Sequence, residues 1–437
     1  MRTFNKSIIA VSVAAAVLSA APAFATNGYF SHGYSTKEKG LAGAGAAYSQ
    51  DALANATNPA GMVFVGDRMD VGLQLFSPSP RSYTVSGAPS GFPGTFGLAP
   101  ESVDSENDYF LIPSFGYNMA LDAVSSVGIS VYGNGGMNTK YEPTAANGNM
   151  GVFGAGTAGV NLAQLFTNAT YARKLNDQHA VGASLIFAYQ KFAASGLASF
   201  AGFSSDPNNL TGNRNSYSSG FGFKLGYQGE VATGVRVGAS YQSKMSMSEF
   251  DEYKGLFAEG GDFDIPSTYT VGVSFDVPNS GKVVVDVQKI NYTDVASVSN
   301  PFMNMLTGCT PGAPATGAGC LGGANGGGFG WEDMTIVKLG YQWNTGDTDW
   351  RVGISKGKQP IPDSEVMFNI LAPAVIETHF TFGMTRKMDN NQEFNFAAMY
   401  APGNDVSGPN PMEAPGQQTI KLEMSQLDFQ AGWAWKY

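Results

Sequence analysis

Charge is scarce in this chain: Asp, Glu, Lys and Arg make up 14% of its 437 residues, against roughly 25% in ordinary soluble domains. What charge there is leans acidic, at a net −10. That balance excludes nucleic acid as a partner, because a phosphate backbone is held by a basic face. Histidine occurs only at His32, His179 and His379, in no two-histidine metal spacing and in no G-x-S-x-G elbow. The glycines of "GAGAAY" (residues 43–48) break the dinucleotide fingerprint at its third position and lie outside any βαβ unit. No enzyme, cofactor or metal is therefore expected. Beyond residue 25 there is no apolar run of about 18 residues, so no helix spans a membrane.

What is there is glycine, 56 residues, and aromatic side chains, 12% of the chain. The mean hydropathy is −0.10. A transmembrane β-barrel fits this composition, because its apolar surface is dispersed as alternation that averaging cannot see.

The N-terminus sets the compartment. Arg2 and Lys6 precede an apolar stretch over residues 8–20, and Ala23 and Ala25 bracket Phe24. This is the pattern of a secretory signal peptide over residues 1–25, cleaved before Thr26. The apolar stretch is shorter than the roughly 20 residues a membrane helix needs. Losing two basic residues takes the net charge to −12. In an exported protein the two cysteines, Cys309 and Cys320 in "CTPGAPATGAGC", are expected to form a disulfide that staples a loop; two ligands are too few for zinc.

Alternation recurs along the rest of the chain. In "GFGFKLGYQ", Phe221, Phe223, Leu225 and Tyr227 oppose Gly220, Gly222, Lys224, Gly226 and Gln228. Fourteen such segments are expected, starting near residues 67, 109, 126, 162, 179, 218, 233, 267, 281, 333, 348, 376, 391 and 420. Short turns such as "LNDQH" and "NTGDTD" alternate with long loops, the pattern of an outer-membrane barrel, and the strand count is even. The fold class is all-β, a 14-stranded antiparallel barrel over residues 67–437. Its last strand, "DFQAGWAWKY", carries Phe429, Ala431, Trp433, Trp435 and Tyr437 on one face, as expected for an aromatic girdle at the lipid boundary. The terminal Tyr437 is expected to be read by the barrel-insertion machinery. Residues 26–66 lack alternation, are rich in Ala, Gly, Ser and Asn, and suit a plug, or hatch, of short helices inside the barrel.

Alternation also points Arg236, Lys244, Lys338 and Arg351 into the lumen, where any of them could meet a ligand carboxylate. The ordinary alternative is pairing with lumenal acids such as Asp276 and Asp286. His379, in "ETHFTF", faces inward as a hydrogen-bonder or, in a barrel lipase, as part of a catalytic pair whose serine the sequence does not name. The apolar loop segments at 158–166 and 300–306 suit first capture of a hydrophobic ligand. Gly133, Gly135 and Gly136 interrupt the regular strand of Val127, Ile129 and Val131, either as a bulge or as fraying into the next loop.

The stretch "GLAGAGAAYSQDALANATNPAGM" resembles the hatch of the long-chain fatty-acid and hydrophobic-compound transporter family of outer membranes, the FadL/TodX type. "GISVYGNGGMNTKYEP", "WRVGISKGKQPIPDSEV" and "HFTFGMTRKMDNNQEFNFAAMY" extend the likeness through the chain in element order. The resemblance implies that Asn58, Pro59 and Ala60 form the hatch triplet, and that the glycine break is a kink in the third strand through which ligand leaves sideways. It implies passive uptake of fatty acids or hydrocarbons captured at extracellular loops; the chain is further expected to be a monomer in contact with Gram-negative outer-membrane lipid and lipopolysaccharide. A general diffusion porin is the alternative, and a barrel lipase a more distant one.

Overall fold

The computed structural model describes residues 27–278 and 281–437, so the leader over residues 1–25 lies outside the described residues. Fourteen long strands follow the hatch: β1 (Arg68–Ser77), β2 (Phe110–Ala120), β3 (Ser125–Asn138), β4 (Gly159–Lys174), β5 (His179–Phe192), β6 (Ser216–Ala232) and β7 (Val235–Gln242). The second half comprises β8 (Thr268–Val277), β9 (Gly281–Ile290), β10 (Met334–Thr345), β11 (Thr348–Gly357), β12 (Thr378–Met388), β13 (Gln392–Pro409) and β14 (Thr419–Lys436). Each strand pairs antiparallel with its neighbours, and β1 closes the cylinder, with Arg68 opposite both Asn118 of β2 and Lys436 of β14. Closure removes the free edges that could not be tolerated in lipid. Every strand starts within three residues of its expected position. Four short strands add to this wall; Arg81–Ser86 and Glu101–Asp104 continue the sheet beyond the upper half of β14.

The dyad repeat does what its chemistry requires. Along β6, Tyr217, Phe221, Phe223 and Leu225 are exposed, whereas Ser216, Ser218 and Lys224 are buried. The exposed rows of leucine, valine, isoleucine and phenylalanine form the lipid-facing belt. Aromatic pairs mark its rims: Trp433 and Trp435 near the end that carries the C-terminus, and Tyr189 stacked on Tyr217 at 5.9 Å near the other. Both the start of β1 and the end of β14 lie at the short-turn end, so that end is periplasmic and the long loops are extracellular.

The lumen is filled by residues 27–67, most of them buried, with the stretch from Val63 to Asp67 partly exposed. This segment has only a four-residue helical turn, Thr36–Lys39, and two 3-10 turns, Ala54–Ala56 and Pro59–Phe64. Glycine abundance acquires a specific cause here. A Cβ at Gly238 would stand 1.9 Å from the Ala46 carbonyl oxygen, and one at Gly182 2.5 Å from the Ala60 nitrogen. Inward glycines let hatch backbone lie directly against the wall.

Candidate functional site

A segment with so little secondary structure must find partners for its backbone groups elsewhere, since leaving them buried and unpaired is costly. The lumenal face of the barrel supplies them. Asp286 on β9 accepts hydrogen bonds from the Gly45 and Ala46 amides at 2.8 and 2.9 Å. Thr381 on β12 accepts from the Ala42 amide at 3.0 Å and donates to the Gly40 carbonyl at 3.2 Å. Ser240 donates to the Thr57 carbonyl at 2.7 Å.

The triplet lies at the centre of this packing. Asn58 is fully buried. Its side-chain amide donates to the Ala46 carbonyl at 2.7 Å and to the Tyr227 carbonyl of β6 at 2.9 Å. Its Oδ1 accepts from the Ala60 amide at 3.1 Å, capping the turn that Pro59 opens. Gly226 provides the room, since a Cβ there would meet Asn58 Oδ1 at 2.1 Å. One side chain thus ties two hatch segments to one strand.

A second anchorage is ionic. Lys37 pairs with Glu393 of β13 at 2.6 Å, and Lys39 with Asp428 of β14. Glu393 also receives Arg68 and Lys436. Asp428 has a smaller set of partners, Lys39 and the Gln74 amide at 2.7 Å.

The wall carries a notch at β3. Below it, β2 and β3 pair from Ala120–Ser126 up to Phe115–Val131. Above that point no ladder joins residues 110–114 to residues 132–138 among the described residues. The β3–β4 register slips at the same level, Gly133 facing Leu165 and Gly135 facing Gln164, which leaves Asn134 as an extra residue. The upper part of β3 turns inward: Tyr132, Asn134, Met137 and Asn138 are all buried. The hatch tip pairs with it instead of β2. The Ser31 amide donates to the Asn134 carbonyl at 2.8 Å, and the Gly136 amide to the Tyr29 carbonyl at 2.9 Å. A Cβ at Gly135 would come within 1.8 Å of the Tyr29 carbonyl oxygen.

Above the notch the extracellular loops form an apolar cap. The Tyr29 ring packs 5.2 Å from Tyr292 and 5.9 Å from Trp331. A cavity of about 30 Å³ lies among Phe192, Leu197, Phe257, Phe329, Phe368 and Leu371. A second, of about 20 Å³, shares Leu371 and is bordered by Arg81, Met137, Trp331, Pro373 and Met424. Neither holds a substrate as it stands, so a ligand must part these side chains; methionine is the side chain best suited to yield. Of the apolar loop segments, Val160 lines the first cavity, and Phe302 and Met305 are buried in the cap.

The four cations expected in the lumen already have partners, and Lys244 does not lie there: β7 ends at Gln242, after which the alternation flips, leaving Met245 buried and Lys244 exposed. Lys338 donates to the Gly43 and His32 carbonyls at 3.2 and 3.4 Å. Arg351 donates to Gln342, Thr385 and Gln50 of the hatch at 2.7–2.9 Å. Arg236 pairs with Glu230 at 3.3 Å and lies over the Phe64 ring. Lys244 lies beyond the upper end of β7, its side chain 41% exposed and paired with Asp264 at 2.9 Å. The acids expected to serve them are engaged elsewhere, Asp276 with Lys282 and Asp286 with the hatch amides. His379 is buried, its Nδ1 lying 3.1 Å from Ser355 Oγ. That serine is its cross-strand neighbour, a relation only the register reveals. The sequence reading also missed Arg81, which lies in a short strand outside the barrel repeat.

Cys309 and Cys320 are disulfide-bonded, eleven residues apart in the cap. Closing a loop of this size restrains the open chain by about 3 kcal/mol. Replacing both with serine should expose the 309–320 loop to limited proteolysis on intact cells, read as a nick absent from the parent protein. Equal resistance of the two proteins would show that packing alone holds the loop.

A family model described as outer membrane protein transport protein (OMPP1/FadL/TodX) matches residues 13–300. No curated protein sequence matches the chain. Among solved structures, the toluene transporter TodX of Pseudomonas putida is 15% identical with a TM-score of 0.62, over 93% of this chain and 99% of that one. The toluene transporter TbuX of Ralstonia pickettii is also 15% identical, with a TM-score of 0.60 over 93% and 99%. A FadL homologue of Pseudomonas aeruginosa is 12% identical, with a TM-score of 0.63 over 94% and 99%. At these identities the likeness is one of fold.

Proposed function

Because the chain belongs to the outer membrane transport protein family OMPP1/FadL/TodX, a multi-pass barrel of the outer membrane and not an enzyme, we propose that it admits hydrophobic small molecules passively and releases them sideways into lipid at the β3 notch. The observation that carries this reading is the interrupted β2–β3 ladder, with the hatch tip seated against it and the apolar cap directly above. A plugged, polar lumen is a poor conduit for an apolar solute. Each CH₂ removed from water gains about 0.8 kcal/mol, which favours a path through the cap and out between strands over one through a hydrated pore.

In this scheme the cap captures ligand, the hatch triplet Asn58, Pro59 and Ala60 keeps the lumen closed, and Gly133, Gly135 and Gly136 let β3 bend away from β2. Arg236, Lys244, Lys338 and Arg351 are candidate contacts for an acidic ligand, each of which would exchange a present partner for it. Two of the similar structures are toluene transporters and a third is a FadL homologue, so oleate and toluene are the first substrates to try. The outward belt meets lipid and the loop rim meets lipopolysaccharide. Tyr437, at the periplasmic rim, is assigned to recognition by the insertion machinery.

Cells lacking their own transporter, given this protein, should accumulate radiolabelled oleate or toluene above vector controls. Asn58→Ala leaves the buried Ala46 carbonyl without this donor and removes the bond to the half-buried Tyr227 carbonyl, at about 1–3 kcal/mol, and should lower that uptake several-fold at equal barrel abundance. Leakage of small sugars without any gain for either hydrophobic compound would assign the protein to the general porins instead.

A further inference from the structure

Proline is scarce in the fourteen long strands, because it cannot donate to a ladder. Pro402 lies in a bulge of β13 and Pro409 ends that strand. Pro113, in contrast, stands in the body of β2, with no register shift beside it. Such a position is tolerated where the proline nitrogen faces an open edge.

The register identifies that edge. In an antiparallel pair, alternate residues turn their backbone groups to opposite neighbours. At the foot of β2 the Ala120 amide turns towards β1, donating to Asp67 Oδ1 at 2.6 Å. The next amide, that of Leu121, turns towards β3 and donates to the Ser125 carbonyl at 2.9 Å. Counting upwards in twos, Met119, Tyr117, Phe115 and Pro113 belong to the set that faces β3. Phe115, opposite Val131, forms the last rung of the β2–β3 ladder. The next hydrogen-bonded rung would join residue 113 to Gly133, and Pro113 has no N–H to give the Gly133 carbonyl. The ladder to β1 uses the other set and is undisturbed. It runs past Pro113, opposite Leu73, up to Phe110, opposite Phe76.

β3 is held on its own side of the gap. Asn134, the extra residue of the bulge, accepts from the Tyr34 hydroxyl at 3.1 Å and donates to Gln164 Oε1 of β4 at 2.9 Å. Gln164 donates in turn to Gln190 of β5 at 3.0 Å. These bonds fix the bulge inward just above the place where the ladder stops. The stop itself falls at Pro113.

We propose that Pro113 sets the lower lip of the sideways exit: it is a positioning residue that ends the β2–β3 ladder at Phe115–Val131 and keeps the wall open above it. This rests on the transport reading above and deepens it, assigning the opening to a residue of β2 as well as to the glycine run of β3. A gap beside lipid would ordinarily leave a backbone N–H unpaired, at high cost. Proline has none to leave, so the open state is favoured at this rung.

Pro113→Ala supplies the missing amide. By NMR of isotope-labelled protein in nanodiscs, that new amide should exchange with solvent as slowly as the Tyr117 and Met119 amides, which face β3 lower down. Uptake of oleate and toluene by expressing cells should fall roughly fivefold in maximal rate, as expected for one added backbone hydrogen bond, with little change in the half-saturating concentration. Adding Phe115→Pro to Pro113→Ala lowers the stop by one rung and should restore uptake. Pro113→Ser/Ser114→Pro, which turns the proline nitrogen towards β1, should not. A new amide that exchanges freely, or equal rescue by both proline placements, would overturn the assignment, while parental uptake left the transport reading standing. A protected amide with undiminished uptake would place the exit elsewhere and overturn both. Heat-modifiable migration of each variant confirms that the barrel is formed.

Discussion

Deleting Asn134 should reduce uptake of hydrophobic compounds to the level of cells without the protein, with the barrel still folded. Asn134 is the extra residue between Gly133–Leu165 and Gly135–Gln164. Without it β3 and β4 run in continuous register, the local bend is lost, and the upper part of β3 is free to pair with residues 110–114 of β2. The hatch tip loses its seat at the same time, since Ser31 bonds to the carbonyl of the deleted residue. The experiment compares oleate and toluene uptake at matched amounts of heat-modifiable barrel. Undiminished uptake would place the exit somewhere other than the notch.

A comparably large effect is expected from Lys39→Met, of the opposite kind. Asp428 is 2% exposed, with Lys39 and Gln74 as its partners and its Oδ1 unpaired among the described residues. Breaking a buried pair by removing one member costs about 3–5 kcal/mol, which shifts the balance between seated and unseated hatch by roughly two to three and a half powers of ten. Planar-bilayer recordings should then show ionic conductance, and cells should become permeable to small hydrophilic dyes. Lys39→Met/Asp428→Leu, which replaces both members by apolar groups, should restore most of the seal. Lys37→Met should leak less, because Glu393 keeps Arg68 and Lys436. A silent bilayer for Lys39→Met would mean that the Asn58 contacts alone suffice to hold the hatch.

The two experiments divide along a line that also separates what could be read from sequence. The bulge at Gly133–Gly136 is a local feature, visible as a glycine run interrupting a strand. That it coincides with the end of the β2–β3 ladder was not visible, because the ladder depends on register across a neighbouring strand. Asn58 was conspicuous through the hatch motif, but the carbonyls it serves lie 12 and 169 residues away. The four cations pointed out by alternation have partners that alternation does not predict, largely hatch backbone for Lys338 and polar side chains for Arg351. Arg81 drew no notice, since its strand alternates over only six residues within a long loop.

By itself, then, the sequence determined the outer-membrane barrel, its strand count, where each long strand starts, most of the lipid-facing rows and an N-terminal hatch of short helical turns. These follow from patterns confined to ten or so neighbouring residues, where the side-chain period of two and the turn residues act directly. Tertiary structure alone decided which charges are paired, where the β2–β3 ladder ends, and why so many inward positions must be glycine. Those outcomes depend on contacts between distant segments, such as Lys39 with Asp428 across 389 residues, and on how closely the hatch backbone approaches a curved wall, which no local pattern encodes.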